Sequence, residues 1–142
     1  MADQNGARAG IEEILGYTFQ DPTIVYEAVS RERNPRLAFL GDKVVGLILL
    51  DIWYRTETSC AQGYSRLQDY ATNKAMAHQA IRLHLDAFAA PGPSQSQRAT
   101  LGTHGLGTEI EALVAATWID SRRNFEVVKS VMKNLHLCPD HA

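Results

Sequence analysis

The stretch Asn34-Pro35-Arg36-Leu37-Ala38-Phe39-Leu40-Gly41-Asp42-Lys43-Val44-Val45-Gly46-Leu47-Ile48-Leu49-Leu50 decides how the rest of the chain is read. Asn is a good helix cap, and Pro at the first helical position gives up no N–H that the helix would use. From Leu37 to Tyr54 the segment is apolar almost all the way round, which predicts a central helix buried on most of its faces. Asp42 interrupts this run one turn after Ala38 and on the same face. A carboxylate in such a place is costly unless paired, hydrogen-bonded or bound to a metal. An Asp satisfied by a neighbour and an Asp that performs chemistry are both open readings at this point.

The chain around it has 142 residues, enough for one domain with a substantial core, and 45% hydrophobic residues place it among globular proteins. A formal charge of −2 offers no overall attraction for nucleic acid or acidic membranes. Cys60 and Cys138 fit no metal-ligand spacing and read as free thiols of a reducing compartment. The first ten residues resemble neither a signal peptide nor an amphipathic presequence. The longest apolar run, Val44 to Leu50, is too short to span a bilayer, so a soluble, cytoplasmic protein without a membrane partner is expected.

Ile11 to Leu15 predicts a short helix closed by Gly16, and Asp21-Pro22 starts another that runs to about Ser30. Arg31 to Arg33 links into the central helix, which is expected to end near Glu57 to Gly63. Helical spacing continues from Tyr64 to Leu85, with a break near Asn73. Ala89 to Gly107, rich in Gly, Pro and Ser, reads as a long loop. A helix from about Glu109 to Ile119 follows. Asp120-Ser121 is expected to cap a last one with Phe125, Val128, Val131, Met132 and Leu135 as its buried stripe. No strand pattern or internal repeat occurs, so residues 1–142 read as a single all-α domain.

A second chemical stretch is Leu106-Gly107-Thr108-Glu109-Ile110-Glu111-Ala112-Leu113. Thr108 and Glu111 share a helix face. Thr-x-x-Glu before an apolar run is the pattern of a capping box, which needs no function. The competing reading makes Glu111 the partner of Asp42 across a cleft between two helices.

Arg36 to Gly46, RLAFLGDKVVG, resembles the signature helix of ribonuclease III domains, usually RLEFLGD followed by an apolar run. The likeness extends to the opening Ile11 to Phe19, to GYSRLQDYATNKAMAHQAIRLHL from Gly63 to Leu85, and to LGTEIEALVAATWID from Leu106 to Asp120. The resemblance implies an all-α ribonuclease III-like fold with a central signature helix. It also implies a homodimer, in which the aromatic at Phe39 enters a pocket on the partner. No sequence follows the catalytic-type domain, so the family's double-stranded-RNA-binding module is expected to be absent.

The family cleaves RNA with four carboxylates that hold divalent metal. Carried over by resemblance, their positions here are Ala38, Asp42, Thr108 and Glu111, of which only Asp42 and Glu111 are acidic. Glu109 is no substitute for position 108, because one residue along a helix turns a side chain by roughly 100°. The expectation is therefore no bound metal, no cofactor, and loss of ordinary metal-dependent cleavage of double-stranded RNA.

Three functions follow from different classes. The first is a non-nucleolytic binding or assembly role as a homodimer, with structured RNA or a protein as partner. Arg31, Arg33, Arg36, Lys43, Arg122 and Arg123 would supply phosphate contacts, although a merely solvated basic surface is the simpler reading. The second is a repurposed enzyme acting on a small organic molecule, with Asp42 and Glu111 as general acid and base for isomerisation, ring opening or rearrangement. There Trp53, Tyr64, Tyr70 and Trp118 would line the pocket and the 89–107 loop would close it; His78, His84 and His104 receive no role. The third is weak residual metal-dependent ribonuclease activity.

Overall fold

The computed structural model describes residues 4–88 and 103–140, which form seven α-helices. They are α1 (Gln4–Leu15), α2 (Pro22–Val29), α3 (Pro35–Tyr54), α4 (Cys60–Tyr70), α5 (Asn73–Arg82), α6 (Thr103–Asp120) and α7 (Phe125–Asn134), with one 3-10 turn at Leu85–Phe88. No strand occurs among the described residues, so the chain is all-α there.

The helix ends follow local chemistry. Gly16, at φ +68°, takes the left-handed position that closes α1, with its N–H donating to Glu12. The Asp21 carboxylate accepts from the Thr23 N–H ahead of Pro22. The Thr72 hydroxyl accepts from the Ala75 N–H and starts α5, which is the break expected near Asn73. Asn34 precedes α3 without a side-chain cap bond: it is buried, and its amide donates instead to the Ala28 carbonyl, tying α3 to α2.

Several boundaries differ from the sequence expectations: α1 already begins at Gln4, α3 ends at Tyr54 rather than near Glu57 to Gly63, and α4 starts at Cys60 instead of Tyr64. Helix α6 begins at Thr103, six residues before Glu109, so residues 103–107 are helical; the rest of the expected loop, 89–102, lies outside the described residues. Thr108 and Glu111 therefore sit inside a helix, and the capping-box reading falls. Asp120 ends α6 rather than capping α7. The α7 cap is Asn124, whose side chain accepts from the Val127 N–H. Asp120 binds the α1–α2 loop instead, accepting from Tyr17 Oη at 2.6 Å, the Gln20 N–H at 2.8 Å and the Asp21 N–H at 2.9 Å.

One hydrophobic core joins all seven helices. Helix α6 is apolar all round and runs through its middle, with Ile110 and Ala112 to Thr117 fully buried. Helix α3 lies against it through Leu37, Ala38, Gly41, Val44, Val45, Ile48, Leu49 and Ile52. Its remaining apolar face is open in the single chain: Phe39 is 78% exposed, and Leu40, Leu47 and Tyr54 also reach solvent. The apolar circumference read from sequence is thus covered on one side only. No helix among the described residues is long and apolar enough to cross a membrane.

Candidate active site between helices α3 and α6

The crossing of α3 and α6 is set by Gly41. A Cβ there would be driven into the backbone carbonyl of Glu111, so only glycine lets the two helices meet this closely. Gly107 does the same for α6 against α5, where a Cβ would meet Asn73. These contacts bring Ala38 and Asp42 of α3 to the same cleft as Thr108 and Glu111 of α6. The cleft has a volume of about 510 Å³; Phe39 stands at its edge, and Arg31 and Asn73 come from neighbouring segments.

Asp42 and Glu111 are hydrogen-bonded to each other through their side chains. Glu111 is buried, and its carboxyl is pushed up to about 8. Burial is the main cause, then the hydrogen bond to Asp42 and its negative charge; the Lys43 ammonium acts weakly the other way. Glu111 therefore keeps its proton at neutral pH, and its hydroxyl is the donor toward Asp42. Lys43 Nζ lies 3.4 Å from Asp42 Oδ2 in an exposed pair that adds little stability.

The remaining candidates scatter. Glu109 points away from the cleft, as the helical rotation requires, and is 1% exposed in the core. Neither of its carboxyl oxygens has a hydrogen-bond partner, and burial, helped by the charge of Asp86, pushes its carboxyl up to about 8. Sequence reading placed Glu109 off the cleft but missed that it is a buried, unpartnered acid. The available signal was its helix: in a segment apolar all round, any charge is buried.

Of the four aromatics considered as pocket walls, none lines this cleft. Trp53 donates to the Ser59 carbonyl and covers Gly63, Tyr64 is largely exposed, and Tyr70 and Trp118 pack on the core. The aromatic at the cleft is Phe39. Of the basic residues, Arg31 reaches the cleft. Arg36 and Lys43 instead line an adjoining groove of about 630 Å³ with Ile24, Leu37, Leu40 and Ile119, and Phe39 borders that groove as well. His78 and His84 lie elsewhere. Both cysteines are free thiols, Cys60 exposed and Cys138 buried. Among the described residues no group of three or more His, Cys, Asp or Glu side chains converges.

A helical bundle with two facing acidic positions on crossed helices defines a class, and comparison with known proteins gives its family. The ribonuclease III domain model matches residues 35–122, and the chain belongs to that family. It is 31% identical to the ribonuclease 3-like protein 1 of Oryza sativa subsp. japonica, over 95% of this chain and 66% of that protein. It is 30% identical to ribonuclease 3 of Francisella tularensis subsp. novicida, over 84% of this chain and 54% of that protein. The chain thus spans between about half and two thirds of the length of these curated relatives. The nuclease domain of ribonuclease III from Campylobacter jejuni superposes with a TM-score of 0.77 at 22% identity, covering 89% of this chain and 93% of that one.

Proposed function

We propose that this chain is a dimeric ribonuclease III-fold domain that binds and assembles rather than cutting double-stranded RNA. The observation behind this reading is the hydrogen bond between the Asp42 and Glu111 side chains. A hexacoordinate divalent cation needs several hard, charged oxygen donors. Ala38 has no donor, Thr108 brings a neutral hydroxyl, and the two remaining acids are bonded to each other. The residues present do not fit the family's metal cage.

The dimer rests on the open face of α3. Phe39 is exposed beside an apolar groove, and the Campylobacter jejuni nuclease domain has a flexible region involved in dimer formation. In a two-fold arrangement each Phe39 would enter the partner's groove, an isologous contact.

Incubation with double-stranded RNA and Mg²⁺ or Mn²⁺ tests the loss of cleavage. The wild type is expected to leave the RNA intact, and an Ala38→Glu, Thr108→Asp double variant to gain cutting. Wild-type cleavage as fast as that of the double variant would overturn the reading. A gel shift with varied salt tests RNA as the partner, because phosphate contacts weaken as salt rises.

The same carboxyl pair favours a second reading. An acid that keeps its proton near neutrality, beside a carboxylate in a 510 Å³ cleft, has the equipment for metal-independent acid–base catalysis on a small molecule. Glu111 would donate the proton and Asp42 would accept one. Activity that follows the Glu111 titration and survives chelators would select this reading over binding alone.

A further inference from the structure

The groove that would receive the partner's Phe39 is not wholly apolar. Ile24, Leu37, Leu40 and Ile119 give it an apolar wall, and Glu27 of α2 is the one acid among its described lining residues. Glu27 is partly buried, and its carboxylate takes part in no ion pair among the described residues. In the single chain water satisfies it. A phenyl ring seated in the groove would displace that water, and a carboxylate that loses water without gaining a cation is costly.

The ring does not arrive alone. Arg36 precedes Phe39 by three residues and Lys43 follows it by four, so both cations share its face of α3. Both are exposed. Lys43 is already engaged with Asp42 at 3.4 Å, whereas Arg36 has no ion pair among the described residues. Arg36 and Glu27 of one chain line the same groove without pairing across it. The knob thus carries an unused guanidinium and the groove an unused carboxylate, groups whose planar geometries match for two parallel hydrogen bonds.

We propose that Arg36 of each chain pairs with the partner's Glu27, and that this charge match makes a second copy of this chain the occupant of the groove. This rests on the reading above that Phe39 docks in the partner's groove. Two-fold symmetry forms the pair twice, once beside each ring. The carboxylate that a ring dries is then met by a cation carried one turn away on the same helix. A chain with an acid in place of Arg36 would set two carboxylates together and be rejected.

The test is the mass of the full chain by light scattering over a dilution series. Wild type is expected to be a dimer that Glu27→Arg and Arg36→Glu each weaken about 100-fold, since symmetry brings the like charges together twice. An equimolar mixture of those two variants should recover the wild-type affinity, because every contact between unlike copies then joins opposite charges. A pair formed within one chain would leave the mixture as weak as its components and overturn the inference. A mixture of Glu27→Arg with Lys43→Glu that dimerises equally well would also overturn it, by making general attraction the cause. Glutamine variants read the same pair without charge reversal. Glu27→Gln should weaken the dimer about tenfold, and adding Arg36→Gln should cost little more, as for two members of one contact; additive losses would overturn the inference. A wild type that stays monomeric would remove the dimer reading and this pair with it. A dimer that Phe39→Asp dissociates but both charge reversals leave intact would overturn this inference alone.

Discussion

Glu109 makes the pH dependence of stability measurable at one residue. Its carboxyl moves from 4.5 in the unfolded chain to about 8 in the folded one. Below the unfolded value both states carry the proton and the residue costs nothing through ionisation. As pH rises from there, the unfolded chain releases its proton while the folded chain keeps it, so stability falls until the folded group titrates as well. The ionisation cost is about 3 kcal/mol at pH 7 and approaches about 5 kcal/mol at and above pH 8. For a chain of this length 3 kcal/mol corresponds to about 10 °C in Tm. Glu109→Gln removes the ionisation and keeps a buried polar group; Glu109→Leu removes both, for roughly 1–3 kcal/mol more. Urea denaturation of the three proteins from pH 5 to pH 9 reads the effect. Wild type and Glu109→Gln should converge near pH 5 and diverge above it, the variant becoming the more stable. Parallel curves across that range would refute the assignment of a buried, unpartnered carboxyl. Because Glu111 contributes a slope of its own in both proteins, the difference between the curves is the quantity to compare.

Gly41→Ala should destabilise the fold by about 3 kcal/mol, because the clash is with backbone that cannot rotate away; a denaturant midpoint close to wild type would contradict the close crossing of α3 and α6. Phe39→Asp should give a monomer in light scattering without loss of helical circular dichroism, since Phe39 supports no core within the chain. Asp120→Asn should loosen the α1–α2 loop, seen as faster amide exchange at Gln20 and Asp21, and at low cost in stability because the site is near solvent. The folded state holds the Asp120 carboxyl below its ordinary value, so its contribution is present above the unfolded pKa and is lost as pH falls through the folded one. Millimolar Mg²⁺ should leave the wild-type Tm unchanged, and a rise would show a cation bound to the native state.

Helix positions follow mostly from local chemistry, which is why they are legible in the chain itself. Pro22 and Pro35 at helix starts, Gly16 at a helix end, and the stripe Val128, Val131, Met132 and Leu135 act within a turn or two of themselves. Thr103 to Gly107 misled because two glycines near a polar stretch resemble a loop. Packing against α5 turns one of them into a requirement of the helix, since Gly107 is where Asn73 approaches. Likewise Asp120-Ser121 carries residues that cap helices, but three donors from the distant α1–α2 loop take the Asp120 carboxylate and leave the cap to Asn124.

The sequence by itself determined the all-helical class, the family likeness and the identities Ala38, Asp42, Thr108 and Glu111 at the matched positions, because motifs and periodicity are local patterns. Tertiary structure alone decided that Asp42 and Glu111 bond to each other, that Glu109 is buried without a partner, and that one apolar face of α3 stays open. Those outcomes depend on where helices distant in sequence cross. Burial and the distance between two carboxyls govern whether each keeps its proton, and neither quantity exists before α3 and α6 come together over Gly41.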